Sequence, residues 1–220
     1  MSQTLFVTAT DTDAGKTVVS VALLRGLAAG GIKACGFKPV AAGAEPSAEG
    51  PVSADALALH AASAAGAGLA EINPILFAPA IAPHLAAAAA GRPINTVLLA
   101  EAHARLAHRY PVIVAEGAGG WLTPLSNTLL LGDWVAAQGW PVLLVVRIQL
   151  GCLNHALLTA EAIRSRGVRL AGWVANLPPP VSAQAEGMVE TLRQRLGAPL
   201  WQQQAQAEAP VAAIQTLFGG

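Results

Sequence analysis

The sequence alternates short, continuous apolar runs with longer segments of helical periodicity. The apolar runs cover residues 4–9, 32–38, 111–116, 141–146 and 170–176, with 198–201 as a candidate sixth. Helical patterns cover residues 15–29, 54–62, 96–108, 127–138, 154–166 and 183–196. Apolar runs without polar alternation are typical of parallel strands that are buried on both faces. The alternation therefore predicts an α/β fold with a mostly parallel β-sheet covered by helices on both faces.

One domain is expected to span residues 1–220. This length suffices for one sizeable α/β domain, and we find no repeat of fixed period and no linker. Residues 41–70 are rich in Gly, Pro, Ser and Ala, and we interpret them as a loop with one short helix at 54–62. The alanine-rich residues 79–93 predict a loop followed by a helix.

The composition excludes several kinds of partner. Lys and Arg total 13 and Asp and Glu total 13, so the net charge is zero, which argues against bulk nucleic-acid binding. A spanning helix needs about 20 successive apolar residues, and the strongest apolar run stops at Arg147. The amino terminus has no signal-type segment. The two cysteines, Cys35 and Cys152, form no C-x-x-C pair, which fits a reducing compartment. We expect a soluble cytoplasmic protein that binds neither nucleic acid nor membrane.

The stretch TATDTDAGKT, residues 8–17, ends in the Gly-Lys-Thr of a phosphate-binding loop. The general pattern G-x-x-x-x-G-K-[ST] would place a glycine where Thr10 stands. Even so, the tripeptide follows a predicted strand and opens a predicted helix. There Gly15 lets the backbone approach a phosphate, Lys16 reaches the β- and γ-phosphates, and the Thr17 hydroxyl can ligate Mg²⁺. The stretch therefore predicts nucleotide binding, with a structural turn as the alternative.

Polar residues follow the ends of the other predicted strands, where parallel sheets bind ligands. Lys38 follows the second strand as a candidate anion clamp, although it would suit an ordinary surface position equally. Glu116 ends the third strand and is a candidate Mg²⁺ ligand, the alternative being a solvated strand end. Asn176 ends the fifth. Asp55, from its spacing alone, is better explained as a first-turn helix residue.

Nine segments together resemble the dethiobiotin synthetase family of the P-loop NTPase superfamily. In order, they are FVTATDTDAGKT, GFKPVAAG, SADALALH, NPILFAPAIAPH, EGAGGWLTPLS, DWV, PVLLVV, LGCLNHALLTAEAI and LAGWVANLPPP, and they cover residues 5 to about 180. The resemblance implies a cytoplasmic homodimer that converts 7,8-diaminononanoate and CO₂ into dethiobiotin, with ATP as co-substrate and Mg²⁺ as cofactor. It also implies a carbamate and then a carbamic–phosphoric anhydride as intermediates.

The resemblance assigns roles to individual residues. Lys16 and Lys38 would be catalytic, flanking the carbamate and the γ-phosphate, and Thr17, Asp55 and Glu116 would hold Mg²⁺. Nucleotide contacts are expected at Asp13, Ala14, Gly15, Lys16, Thr17, Val18, Asp55, Glu116, Gly117, Ala118, Gly119 and Asn176, the last with adenine. Substrate contacts are expected at Thr12, Lys38, Ala42, Ile81, Ala82, Leu150, Gly151, Cys152 and Asn154.

Residues 150–155 match a family segment that crosses to the partner subunit and holds the distant carboxylate of the substrate. Each active site would thus be completed by the second chain. From the residues themselves, Asn154 is equally explained as a helix N-cap, and Cys152 as a structural thiol.

The sequence departs from the family pattern at four places. The phosphate loop of the family, G-T-D-T-x-x-G-K-T, has its first glycine where Ala9 stands. Family members have a substrate-contacting serine at the position of Ala42, and some have a tyrosine at the position of Gly187. Residues 202–210 lack the usual Gly-x-Ile-Pro. The methyl group of Ala9 is costly if the backbone there has a positive φ or lies against a phosphate, and it is nearly neutral if residue 9 still belongs to the strand. Because the apolar run continues through Thr8 and Ala9, we predict a negative φ at Ala9.

Two other functions were weighed. A partition-type ATPase would carry a signature lysine early in the loop, and no lysine precedes Lys16. An amidating synthase acting on corrin rings would need an additional glutaminase domain, for which 220 residues leave no room.

Overall fold

The computed structural model describes residues 2–48, 50–203 and 211–218. The strands are β1 (Gln3–Ala9), β2 (Ala34–Phe37), β3 (Val40–Ala42), β4 (Ile75–Phe77), β5 (Val112–Glu116), β6 (Val142–Arg147), β7 (Leu170–Asn176) and β8 (Leu200–Gln203). The helices are α1 (Lys16–Ala29), α2 (Ala54–Ala62), α3 (Leu69–Ile72), α4 (Pro83–Ala89), α5 (Thr96–Ala107), α6 (Leu131–Gln138), α7 (Cys152–Arg164), α8 (Ala185–Arg195) and α9 (Val211–Phe218).

Six strands form the main sheet in the order β2-β5-β1-β6-β7-β8, and every neighbouring pair is parallel. Strand β1 lies in the middle, with Val7 opposite both Glu116 of β5 and Leu143 of β6. The carboxyl ends of β2, β5, β1, β6 and β7 consequently meet along one edge, which is where ligands bind in such sheets.

Both faces of the main sheet are covered. Successive side chains of a strand point to opposite faces, and every residue of β5 and all but the first of β1 are buried. The helices that lie between the strands in sequence supply this cover, and they explain the high apolar content of the chain. The predicted fold class is confirmed.

Several predicted boundaries were wrong. The second strand is shorter than residues 32–38, and the sixth candidate strand lies at Leu200–Gln203. Helix α6 begins at Leu131, four residues later than predicted, because Asp133 accepts a hydrogen bond from the amide of Leu130 and fixes the first turn there. Helix α7 begins at Cys152, two residues earlier than predicted, directly after Gly151 with φ 93°.

A second sheet was missed. Strands β3 and β4 pair in parallel, with Val40 opposite Ile75 and Ala42 opposite Phe77. Each has three residues, too few for a periodic signal, and two of the three residues of β3 fall in the stretch predicted as loop. The short helix α2 and the loop-then-helix prediction for residues 79–93 are confirmed.

Two further expectations concern membrane-spanning helices and the segment after Trp201. In the described parts of the chain, no helix is long and apolar enough to cross a membrane. Most of the segment that lacks Gly-x-Ile-Pro, residues 204–210, lies outside the described residues.

Strand β1 extends through Ala9, which is fully buried. Among the residues that the structure describes, Asp13 is the one non-glycine residue with a positive φ, 55°. Ala9 therefore has the negative φ that we predicted, and its methyl group packs in the core.

The first prediction concerns Ala9→Gly. Glycine loses more conformational freedom on folding than alanine does. The variant also loses a buried methyl group, and no other group replaces its contacts. We expect the free energy of unfolding to fall by about 1–2 kcal/mol, with unchanged ATP affinity, as measured by urea unfolding and calorimetry. Ala171→Gly, at a buried position of β7, is the matched control and should lose a similar amount. A gain in ATP affinity would show that position 9 favours glycine.

His103 on α5 is half-buried among aromatic rings. Its ring centroid lies 4.5 Å from that of Trp140 and 5.8 Å from that of Phe37. His103 Nε2 is 2.8 Å from the hydroxyl oxygen of Thr4. Burial lowers the pKa of His103 to about 4, so the imidazole is neutral at physiological pH.

The second prediction follows from this pKa. An unfolded histidine titrates near 6.5, so between about pH 6.5 and about pH 4 the unfolded chain binds the extra proton, and stability falls as pH falls. His103→Gln should reduce this loss by an amount on the order of 1–3 kcal/mol, measured by urea unfolding from pH 7 to pH 4. His108→Gln, on the exposed end of the same helix, is the control. An identical pH dependence in His103→Gln and the wild type would contradict the prediction.

Candidate active site

The loop of residues 10–15 joins the central strand β1 to α1. Gly15 adopts φ 100°, and its backbone lies against Asn176, so that a Cβ at position 15 would overlap Asn176 Nδ2. Asn176 Nδ2 also donates a hydrogen bond to the carbonyl of Ala14 at 2.8 Å. Helix α1 begins at Lys16, and the amides of its first turn have no partners within the helix. The loop and the helix start thus form a cradle suited to an anion.

Four polar residues converge beside this loop. The ammonium of Lys38 lies 2.6 Å from Asp55 Oδ2 and 2.7 Å from Glu116 Oε1. It also donates to the carbonyl of Gly117 at 3.1 Å. The hydroxyl oxygen of Thr17 lies 2.8 Å from Asp55 Oδ1 and 2.9 Å from Glu116 Oε1. We call Thr17, Lys38, Asp55 and Glu116 the polar cluster.

Two members of the polar cluster, Lys38 and Asp55, are ionised at neutral pH. Lys38 is 2% exposed and Glu116 is fully buried, whereas the Asp55 side chain is 45% exposed. Burial works to lower the pKa of Lys38, but the carboxylates of Glu116 and Asp55 outweigh it, so this pKa is raised. Burial works to raise the pKa of Asp55, but Lys38 and the Thr17 hydroxyl outweigh it, so this pKa is lowered. The ammonium and the Asp55 carboxylate therefore stabilise each other in ionised form.

The backbone of Lys38 is held by residues that the sequence did not single out. Its amide donates to the carbonyl of Ile72 at 2.8 Å, and the Asn73 side chain donates to its carbonyl at 2.8 Å. Asn73 also donates to the carbonyl of Ile75 at 3.0 Å, at the start of β4. The Asn-Pro pair at 73–74 was the available signal, because it often marks a fixed turn.

Lys16 supplies a second buried ammonium. It is 7% exposed, and its Nζ donates to the carbonyl of Asp11 at 3.3 Å. Burial lowers the pKa of Lys16, and the nearby charge of Lys38 lowers it further. Two lysines at one site would be mutually unfavourable unless an anion or carboxylates neutralise them.

A cavity of about 720 Å³ opens over the loop and the polar cluster, a volume typical of small-molecule sites. It gathers many of the predicted site residues, namely Thr12, Asp13, Gly15, Lys16, Thr17, Val18, Lys38, Ala42, Asp55, Ile81, Ala82, Ala118 and Gly119. It also contains residues that the sequence did not single out, namely Asp11, Ala41, Ala80, Pro83, Gly120 and Thr123.

Other predicted site residues lie outside this cavity. Ala14, Glu116, Gly117 and Asn176 lie behind or beside the loop, and the first two are fully buried. Leu150, Gly151, Cys152 and Asn154 lie at the start of α7.

The start of α7 presents an exposed apolar side chain. Leu150 is 99% exposed, and Asn154 is also exposed. Cys152 is buried, with its Sγ 3.7 Å from the sulfur of Met188, and it lines a separate cavity of about 200 Å³ that includes Arg147. Since Gly151 occupies the N-cap position of α7, the alternative explanation of Asn154 as the N-cap is wrong.

The structure shows what surrounds Ala42 and Gly187, two of the positions that depart from the family pattern. Ala42 lines the 720 Å³ cavity and brings no hydroxyl to it. Gly187 lies on the exposed side of α8, with open space where a side chain would project.

The polar cluster fits a divalent metal ion. Glu116 Oε2 is buried and has no hydrogen-bond partner, and the cluster offers carboxylate and hydroxyl oxygens, the ligands that Mg²⁺ prefers. Within the described residues, no group of three or more His, Cys, Asp or Glu side chains could hold a metal. A metal here would therefore take further oxygens from phosphate and water, as Mg²⁺ commonly does in nucleotide sites.

Comparison with solved structures identifies the fold. A ParA family ATPase from Chlorobium tepidum matches all of the chain and 90% of its own, with TM-score 0.55 and 12% identity. The septum site-determining protein MinD from Pyrococcus horikoshii, complexed with Mg-ADP, matches 99% of this chain and 95% of its own, with TM-score 0.56 and 14% identity. At such identities the likeness concerns the fold alone.

Comparison with sequences identifies the family. A family model described as an AAA domain matches residues 3–209. The ATP-dependent dethiobiotin synthetase BioD 1 of Escherichia coli K12 is 46% identical over 91% of this chain and 89% of its own length. The corresponding protein of Serratia marcescens is 48% identical over 80% of this chain and 78% of its own. The chain belongs to the ATP-dependent dethiobiotin synthetase family.

Proposed function

We propose that this protein converts 7,8-diaminononanoate, CO₂ and ATP into dethiobiotin, ADP and phosphate with the help of Mg²⁺. The observation that carries the proposal is the polar cluster, which sets a buried ammonium and two carboxylates beside the Lys16 loop. Phosphoryl transfer needs positioning and charge neutralisation more than covalent participation by the protein. Such a site is suited to the transfer of a phosphoryl group to a carbamate.

The nucleotide is placed by the loop and its surroundings. The amides of residues 13–18 bind its phosphates, and Lys16 contacts the β- and γ-phosphates. Ala118, Gly119 and Gly120 of the glycine-rich turn that follows β5 border the same cavity. Asn176, which is fixed against the loop through the Ala14 carbonyl, contacts adenine. Thr17, Asp55 and Glu116 would hold Mg²⁺, which neutralises phosphate charge when bound.

The reaction then proceeds in three steps. One amine of the substrate adds to the carbon of CO₂ and loses a proton, giving a carbamate. A carbamate oxygen attacks the γ-phosphorus, which breaks the bond to ADP and forms the mixed anhydride. The second amine attacks the carbamate carbon, loses a proton, expels phosphate and closes the cyclic urea. Lys38 and Lys16 stabilise the negative charge as it passes from carbamate to phosphate.

The diamine end of the substrate occupies the cavity between the loop and residues 80–83. Thr12, Ala42, Ile81 and Ala82 line this part of the cavity. The absent hydroxyl at Ala42 removes one hydrogen bond that a serine would offer, worth about 0.5–1.5 kcal/mol. The aliphatic lining contributed by Ile81 suits the hydrocarbon chain of the substrate.

The protein works as a cytoplasmic homodimer in this proposal. Leu150, Gly151, Cys152 and Asn154 lie outside the 720 Å³ cavity of their own chain, and Leu150 projects fully into solvent. Both facts are expected of a segment that completes the site of a partner subunit and holds the distant carboxylate of the substrate.

The proposal is tested by incubating the purified protein with MgATP, bicarbonate and diaminononanoate. Mass spectrometry should detect dethiobiotin in an amount equal to the phosphate released. Phosphate release without the cyclic urea would contradict it.

The third prediction concerns Lys38→Ala. Loss of the ammonium removes charge stabilisation at the transferred phosphoryl group, so we expect kcat to fall by about 10²–10³-fold while ATP still binds in a calorimetric titration. Lys33→Ala, which removes an exposed lysine just before β2, is the control and should retain full activity. Unchanged turnover in Lys38→Ala would remove this residue from the mechanism.

The fourth prediction concerns Gly15→Ala. A methyl group there would overlap Asn176 Nδ2, and an L-residue is strained at φ 100°. We expect the loop to shift and ATP affinity to fall by at least about tenfold, a loss of about 1.4 kcal/mol, measured by calorimetry. Gly31→Ala is the control, because Gly31 has φ 72° but no atom within 4 Å of the added methyl. If Gly15→Ala binds ATP like Gly31→Ala, the cradle tolerates the side chain and the prediction is wrong.

A further inference from the structure

The ammonium of Lys38 lies where the two proposed metal carboxylates converge. Its Nζ is 2.6 Å from Asp55 Oδ2 and 2.7 Å from Glu116 Oε1, and the side chain is 3% exposed. These are the distances of close, charge-assisted hydrogen bonds. The positive charge that pairs with the two carboxylates is therefore part of the protein chain.

The hydrogen bonds of the cluster leave little room for a second cation. Glu116 Oε1 lies within hydrogen-bond distance of both Lys38 Nζ and Thr17 Oγ1. Asp55 Oδ2 accepts from Lys38, and Asp55 Oδ1 accepts from Thr17. Within the described residues, Glu116 Oε2 is the one carboxylate oxygen of the cluster without a partner. One oxygen is a poor protein site for Mg²⁺, which needs near-octahedral ligands at about 2.0–2.1 Å.

We infer that Lys38 and the divalent metal ion compete for the same carboxylates, and that metal binding moves the Lys38 ammonium from the polar cluster into the 720 Å³ cavity. The inference rests on the metal role proposed above for Thr17, Asp55 and Glu116. It adds that Lys38 reaches the phosphate and the carbamate only after the metal has taken its place.

The surroundings of Lys38 permit this exchange. Lys38 lines the cavity that also contains Lys16 and Ala42, so a displaced ammonium enters a space that borders the loop. Its backbone is fixed by Ile72 and Asn73, whereas its four-carbon stem has several rotatable bonds. The side chain can therefore move while the main chain stays in place.

The exchange is tested with Mn²⁺ and the purified protein, without nucleotide. Electron paramagnetic resonance measures free Mn²⁺ in titrations of the wild type and of Lys38→Met, which keeps the length of the stem but has no charge. Without a competing ammonium, we expect Lys38→Met to bind one Mn²⁺ at least about tenfold more tightly. Adding Asp55→Asn to Lys38→Met should abolish this gain, because the metal then loses a charged ligand. Equal or weaker Mn²⁺ binding by Lys38→Met would overturn the inference.

A measurement on the wild-type protein decides the matter if Lys38→Met fails to fold. Acetylation by acetic anhydride, followed by peptide mass spectrometry, reports how accessible each lysine amine is. Mn²⁺ should raise the acetylation rate of Lys38 several-fold and leave that of the exposed Lys33 unchanged, since coupling between two events is reciprocal. An unchanged rate at Lys38 with Mn²⁺ bound would overturn the exchange. Neither assay contains diaminononanoate, so failure of the exchange and failure to form dethiobiotin are observed separately.

Discussion

The buried ion pair between Lys38 and Glu116 is the interaction on which the site depends. Glu116 has no exposed surface, and an isolated carboxylate in such a place would be strongly unfavourable. Its position is set by the register of β5 against β1, which puts Glu116 opposite Val7, just before the phosphate loop. A slip of one residue would turn Glu116 to the other face of the sheet. The packed sheet and the charged site therefore stabilise each other.

The sequence predicts the parts of the site that follow directly from strand ends. Lys38, Glu116 and Asn176 end or follow uninterrupted apolar runs, and parallel strands bring such positions to one edge. Asp55 is different, because its own surroundings in sequence indicate only the first turn of a helix. It does lie in the first turn of α2, but its partners Thr17 and Lys38 come from other elements, and only the family resemblance pointed to its role.

The features that the sequence did not predict depend on contacts between distant segments. Strands β3 and β4 have three residues each and are stabilised by pairing with one another across more than thirty residues of chain. The sequence does not show which group the side chain of Asn73 contacts. Only the fold brings this side chain within hydrogen-bond distance of the carbonyl of Lys38. The start of α7 was misplaced because Gly151, a weak helix former, adopts φ 93° and still caps the helix. Local propensity carries no information about such partners.

The fold alone would not distinguish this protein from its structural neighbours. The ParA and MinD structures share the architecture at 12% and 14% identity, and one architecture supports many activities. No lysine precedes Lys16 in this chain. Its second buried ammonium comes instead from Lys38, at the end of β2, and is already paired with two carboxylates. A cation held in this way is available only when another charge replaces it, so the chemistry of the site is specified by the residues at the strand ends and not by the sheet that positions them.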